Sequence, residues 1–456
     1  MTTIAPDAGA EPSAAGGGLK RVMGRRMLLL FIVGDILGAG IYTLTGKVAG
    51  EVGGAIWLPF LVAFALAFLT ATAYAELVGK YPKAAGAALY VNRAVGRPFV
   101  TFMVAFAVMA SGITSASAAA RGFGGDYLAE FVTLPVVLVA VAFVLVLAAV
   151  NLLGTKESVR CNLVLTLIEL GGLLLVIVVG VAALVQGDGD VSRATDFSGK
   201  DGALLGALGG AALAFYALLG FEDSVNMAEE VESPHSAFPK ALFVGLLLTG
   251  AVYLAVSLVA TLLVPTDELA GSTGPLLEVV RAGGIDVPAK AFALIALIAV
   301  TNTALLNMLM ASRVVYGMAN EGIVPKVFAS VHATRHTPWL AIAVTSLIAL
   351  VLVATGDLAG LADTTVLLLL LVFAAVNVSV LVLRREHVEH PHFHAPTWAP
   401  ALGAVASLVL ASPLTGRESG VYVRAGVLLA IGVALWVANH LFVRRQAPDA
   451  AALSGS

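Results

Sequence analysis

The chain has 456 residues, of which 59% are hydrophobic and 12% charged, with a mean hydropathy of +0.96 and a formal net charge of −3. So little charge cannot cover a soluble protein of this length, so the bulk of the chain faces lipid. The balance argues against a nucleic-acid partner, and the single cysteine, Cys161, excludes an intrachain disulfide.

Residues 1–26 are rich in Ala, Gly and Pro and lack the basic segment and apolar core of a cleaved signal. They read as a disordered cytoplasmic tail, as do residues 444–456. Between them, segments of roughly 20 apolar residues, enough to cross a bilayer, recur along the chain. The expected spans are Met27–Gly46, Ala55–Val78, Pro98–Ala120, Leu134–Leu153, Cys161–Val185 and Ala203–Val231. They continue with Ala241–Val264, Val287–Met310, Trp339–Thr355, Leu361–Leu383, Ala399–Leu414 and Val423–Val443. This is an all-α integral membrane protein of twelve transmembrane helices. With both termini in the cytoplasm, eighteen of the 26 Lys and Arg fall in or beside inner segments. That bias is what membrane insertion requires, and a shift by one helix would spoil it.

Two spans carry the signature of an interruption. The first reads Gly34-Asp35-Ile36-Leu37-Gly38-Ala39-Gly40-Ile41-Tyr42, and the sixth reads Phe215-Tyr216-Ala217-Leu218-Leu219-Gly220-Phe221-Glu222-Asp223. Glycine weakens a helix. Irregular backbone survives in a bilayer only where protein or a wet cavity satisfies it. Gly34, Gly209 and Gly210 fit helix packing; Gly38, Gly40 and Gly220, beside acids, fit broken helices. Breaks in helices one and six imply a five-helix repeat, and the two helices enter from opposite sides, so the repeats are inverted. The units are residues 27–185, residues 203–383 and two additional helices over 399–443.

A break exposes backbone. The amides of Gly38, Ala39 and Gly40 form an anion site suited to a carboxylate, aided by the half-helix dipole. Freed carbonyls at Ile36, Tyr216 and Leu219 suit an ammonium group. One amino acid carries both. Tyr42, Tyr216 and Phe221 either line the pocket or belong to the core.

Asp35, Glu169, Glu222 and Asp223 lie within apolar spans with no basic partner at their depth. Intramembrane acids are costly and functional by default, and an unpaired buried carboxylate tends to bind a proton. Proton coupling by one or more of them is the functional reading; a neutral acid bonding two helices is the structural one. Glu76, Glu229 and Glu230 fall near the inner surface, where pairing with loop Lys or Arg is expected. A pocket with acids and no Lys or Arg disfavours acidic substrates and accepts neutral or cationic ones.

At this point the sequence resembles the amino acid–polyamine–organocation superfamily, and most closely bacterial amino acid permeases related to the cationic-amino-acid group. Gly38-Ala39-Gly40-Ile41-Tyr42 with Leu44-Thr45-Gly46 is similar to the family's first-helix motif. Tyr74-x-Glu76-Leu77, Pro82-x-Ala84-x-Gly86 and Tyr90 resemble the second helix and its inner loop. Gly154-Thr155-Lys156-Glu157-Ser158, Gly220-Phe221-Glu222 with Glu229-Glu230, Pro234 and Pro239-Lys240-Ala241, and Arg313 with Tyr316-x-Met318-Ala319-x-x-Gly322 and Pro325 follow in register. The resemblance implies two inverted five-helix repeats plus two helices, alternating access, and an amino acid held at the first-helix amides and at the carbonyls named above. It also implies a proton-sensing role for Glu222 and a side-chain contact for Asn307. One departure stands out. Many relatives carry a helix-five lysine that stands in for sodium; this chain has Glu169 there.

Four histidines in eight residues, His387, His390, His392 and His394, invite a zinc reading. Pro391-His392-Phe393-His394-Ala395-Pro396 instead resembles the family's Pro- and Arg-rich inner loop, with His for Arg, so no metal and no cofactor is expected. No zinc-protease helix, nucleophile elbow or phosphate loop occurs, which argues against an enzyme. The expected function is secondary transport of amino acids across the cell membrane, by proton coupling or exchange. An amine carrier and a sensor with a transporter fold are the alternatives.

Overall fold

A computed structural model describes residues 23–83, 86–153, 159–200, 202–320, 324–335 and 337–453, with 159–162 and 442–453 as backbone alone. The motif residues Ala84, 154–158 and Gly322, the side chain of Cys161, residues 1–22 of the expected N-terminal tail and 454–456 of the expected C-terminal tail lie outside the described residues; the backbone of 444–453, expected as disordered tail, continues a helix. Seventeen α-helices follow in order among the described residues: α1 Arg25–Ile36, α2 Ala39–Val52, α3 Trp57–Lys80, α4 Gly86–Val95, α5 Pro98–Phe123, α6 Asp126–Ala129, α7 Val136–Leu153, α8 Val159–Gln186 and α9 Gly202–Ala217. After a 3-10 segment over Asp223–Glu230 come α10 Pro234–Leu263, α11 Thr266–Gly271, α12 Pro275–Ala282, α13 Ala289–Asn320, α14 Trp339–Thr355, α15 Leu358–Leu383, α16 Trp398–Ala411 and α17 Ser419–Leu453.

Eight described helices are long and apolar enough to span a membrane, and α1 with α2 forms a ninth, bent by 41° at its break. Three shorter apolar helices, α9, α14 and α16, lie where the other three spans are expected. The sixth expected span, Ala203–Val231, does not run through: its α-helix stops at Ala217, and Gly220 takes φ +118. Only glycine adopts that conformation freely. Proline sits in the first turn of α5, α10 and α12, where its missing amide costs nothing. Asp357 caps α15 by accepting from the Gly360 amide at 2.9 Å.

Helix packing brings the two breaks face to face. α2 lies along α9, α1 packs on α10 and α8, and α13 and α15 flank α5. A Cβ on Gly40 would sit 2.5 Å from the Ala217 Cα, and one on Gly220 would collide with the Asp35 carbonyl. Gly34, Gly209 and Gly210 instead sit inside helices against Thr166, Thr415 and Pro59, the packing role expected of them.

The first described residue is fastened to the sixth segment. Met23, fully buried, donates its amide to the Glu230 carbonyl at 3.0 Å and accepts from the Glu232 amide at 2.9 Å. Nearby, the end of α3 docks onto the α15–α16 loop. Glu76 is 1% exposed and takes a bidentate pair from Arg384, Nε at 2.9 Å and Nη2 at 2.7 Å, with the Ala395 amide at 2.8 Å. That hydrogen bond raises the Arg384 pKa above its usual range. Lys80 reaches the Leu383 and Glu386 carbonyls.

The histidines form a row on this dock. The His235 and His390 rings lie 4.2 Å apart and both contact the Gly79 carbonyl, at 2.6 and 3.1 Å. The His392 and His394 rings lie 4.2 Å apart, tilted by 46°. Among the described residues no three metal-ligating groups converge. Burial lowers the His392 pKa, and the His394 and Lys80 charges add to the effect. A histidine whose folded pKa is depressed binds fewer protons folded than unfolded near pH 6, so stability falls as pH drops through the unfolded value of about 6.5. Melting temperature is therefore expected to fall between pH 7 and pH 5. His392→Gln is expected to flatten that acid limb; an unaltered limb would remove His392 as its cause.

Candidate functional site

Between the two breaks lies a cavity of about 90 Å³. Its wall comes from α1 and α2 at the first break, from Tyr216 to Asn226 at the second, and from faces of α5, α13 and α15. The lining residues Asn226, Met310 and Val314 are half-buried, whereas Tyr42, Ser117 and Val300 beyond the break are buried. The cavity is thus approached from the end that carries Met23 and closed at the other.

Ten of the thirteen residues expected at the site line this cavity: Asp35, Ile36, Gly38, Ala39, Gly40, Tyr216, Leu219, Glu222, Asp223 and Asn307. Tyr42, Phe221 and Glu169 do not. Phe221 is fully buried against Tyr74 and Phe373, with ring centroids at 6.0 and 5.6 Å. Tyr42 turns away and donates to the Glu169 carbonyl at 2.7 Å. Both serve as core at these positions.

The expectation that the broken backbone is bare needs correction. The Ala39 amide donates to Thr303 Oγ1 at 2.9 Å. The Ile36 carbonyl accepts from the Tyr253 hydroxyl at 2.8 Å. The Tyr216 carbonyl accepts weakly from the Leu219 amide at 3.3 Å. Buried peptide groups demand partners, and α10 and α13 supply them. Gly40 follows in the first turn of α2, where amides have no partner inside the helix. Glu222 Oε2 accepts from the Gly220 amide at 2.9 Å, closing a tight loop over the second break.

Several lining groups escaped the sequence reading. Thr303 belongs to Thr301-Asn302-Thr303, a polar run inside an apolar helix, and is the one of the three that lines the cavity. Ser115 bonds the Tyr216 hydroxyl at 3.0 Å, and Ser111, Ser115 and Thr365 form a hydroxyl wall. Asn307 donates to the Thr303 carbonyl at 2.9 Å. Acids, hydroxyls and amides line the cavity, with no Lys or Arg among the described lining residues.

The amino acid permease family matches residues 24–436, nearly the whole helical body. The chain belongs to that family. It is 27% identical to a branched-chain amino acid permease of Bacillus subtilis, across 92% of each chain. It is 29% identical to a methylthioribose transporter of the same organism, covering 81% of this chain and 83% of that one. It is 28% identical to cationic amino acid transporter 4 of Mus musculus, covering 84% of this chain and 62% of the mouse protein. Membership agrees with the apolar helices and makes this a multi-pass membrane transport protein of amino acids.

Proposed function

We propose that this chain is a secondary active transporter that carries a neutral or cationic amino acid across the cytoplasmic membrane by alternating access. The observation that carries this reading is the meeting of two broken helices around a cavity of mixed polar and apolar lining, free of Lys and Arg among its described lining residues. The substrate carboxylate sits at Gly38, Ala39 and Gly40, replacing Thr303 as the partner of the Ala39 amide. Its ammonium faces the carbonyls of Ile36, Tyr216 and Leu219, with Asp35, Glu222 and Asp223 nearby supplying negative charge. Asn307 meets the side chain. At ~10–15 Å³ for each water held, the cavity has room for several waters, comparable to a small or medium amino acid.

In this reading the twelve spans form two inverted five-helix repeats and a terminal pair, with both termini in the cytoplasm. The cavity then opens inward. Transport runs by proton coupling or by exchange.

The test is a thermal-shift screen of purified protein against all the common amino acids and polyamines. A ligand at a hundred times its Kd adds roughly 2.7 kcal/mol to the native state. Stabilisation by neutral or basic amino acids and none by glutamate or aspartate is the expected result. Stabilisation by polyamines alone favours the amine carrier; stabilisation by an amino acid without uptake into liposomes favours the sensor.

A further inference from the structure

Glu169 stands apart from the other acids of the apolar spans named above. It is fully buried on α8, behind the first broken helix and outside the cavity. Asn302 of α13 donates to its Oε1 at 3.1 Å, and Oε2 has no hydrogen-bond partner among the described residues. The titratable groups that face it are Tyr42 from α2 and Tyr253 from α10. α1 presents Gly34 against Thr166, one turn from Glu169. α12 turns Leu276, Leu277 and Val280 inward, and its charged Glu278 and Arg281 pair with each other at the partly exposed rim.

An ionised carboxylate with one donor and no counter-charge among the described residues is prohibitive in such a place, whereas the neutral acid is tolerated. The other acids differ. Glu222, Asp223 and Asp35 border the cavity, and Glu222 has a backbone donor. Glu169 is therefore the acid whose surroundings must change before it ionises.

Its contacts run directly to the site. Asn302 holds Glu169, and the next residue, Thr303, holds the Ala39 amide. Tyr42, one turn into α2, donates to the backbone carbonyl of Glu169 itself. When a carboxylate displaces Thr303 from Ala39, α13 loses a tie to α2 while keeping its tie to α8. One helix thus feels both events.

We infer that Glu169 is the proton-binding site of this transporter, carrying a proton on Oε2 in the conformation described and releasing it when α8 and α13 separate. The step is a simple protonation: an O–H bond forms on the carboxylate and breaks when the side chain meets water. The inference rests on the transport reading above and deepens it by naming the coupled ion and its carrier.

The test uses full-length protein in liposomes with entrapped pyranine, a pH-reporting dye, and a mixture of the neutral and basic L-amino acids as probe. Wild type is expected to move protons when the mixture is added. Glu169→Gln is expected to keep its stabilisation by the mixture and to lose at least ten-fold of the proton signal. A wild-type-sized signal in Glu169→Gln overturns the inference, as does a wild type that takes up amino acids without protons. No stabilisation of wild type by the mixture overturns the transport reading itself. If Glu169→Gln does not fold, Asn302→Ala decides: loss of the donor to the ionised form should raise the midpoint of the transport pH profile by about one unit. An unmoved midpoint rejects Glu169.

Discussion

Gly220→Ala is expected to raise the Kd for substrate by roughly 30-fold, equivalent to about 2 kcal/mol. Gly220 has φ +118, which an L side chain adopts only under strain, and its Cβ would collide with the Asp35 carbonyl across the gap between the two breaks. The variant must push the broken segments apart, which displaces the Tyr216 and Leu219 carbonyls from the cavity wall. Titration of the amino acid selected in the thermal-shift screen measures the effect, with helical circular dichroism and a monodisperse elution profile as controls for folding. A Kd within two-fold of wild type in a folded variant would show that the second break does not shape the site.

Arg384→Ala is expected to cost about 3–5 kcal/mol of stability, because it strands a buried carboxylate. Glu76 is nearly inaccessible and receives two guanidinium bonds and one amide; the amide alone cannot replace a cation. Removing both charges in Glu76→Gln with Arg384→Met should recover most of the loss, since the neutral pair needs no compensation. Denaturation in detergent compares the three proteins. A single variant within about 1 kcal/mol of wild type would mean that Glu76 reaches water in solution.

Much of this architecture was legible in the residues, for reasons that differ by element. Spans such as Trp57–Lys80 and Leu358–Leu383 announce themselves because a bilayer admits almost nothing but apolar side chains over that length. The breaks were legible because Gly38, Gly40 and Gly220 sit beside acids, a combination that packing alone does not need. The pairing of Glu76 with a loop arginine followed from depth and charge. What could not be read was partnership across the fold. Tyr42 and Phe221 carry the same chemistry whether they face a cavity or a core, and only the rotation of α2 and of the segment after Gly220 decides. Thr303 and Tyr253 lie hundreds of positions from the backbone they cap, so no local pattern links them. Glu169 was singled out as an acid, but its seclusion behind the broken helix depends on how α8 leans on α13.

Thr303 and Tyr253 also bear on what the protein does between cargoes. Because these side chains occupy the interrupted backbone, the vacant form carries fewer orphaned dipoles into its closed intermediate. If the chain works as the transporter proposed above, unloaded return is then expected to be no harder than loaded passage. Liposomes filled with labelled amino acid should therefore empty into substrate-free buffer at a rate within a few-fold of that seen with unlabelled amino acid outside.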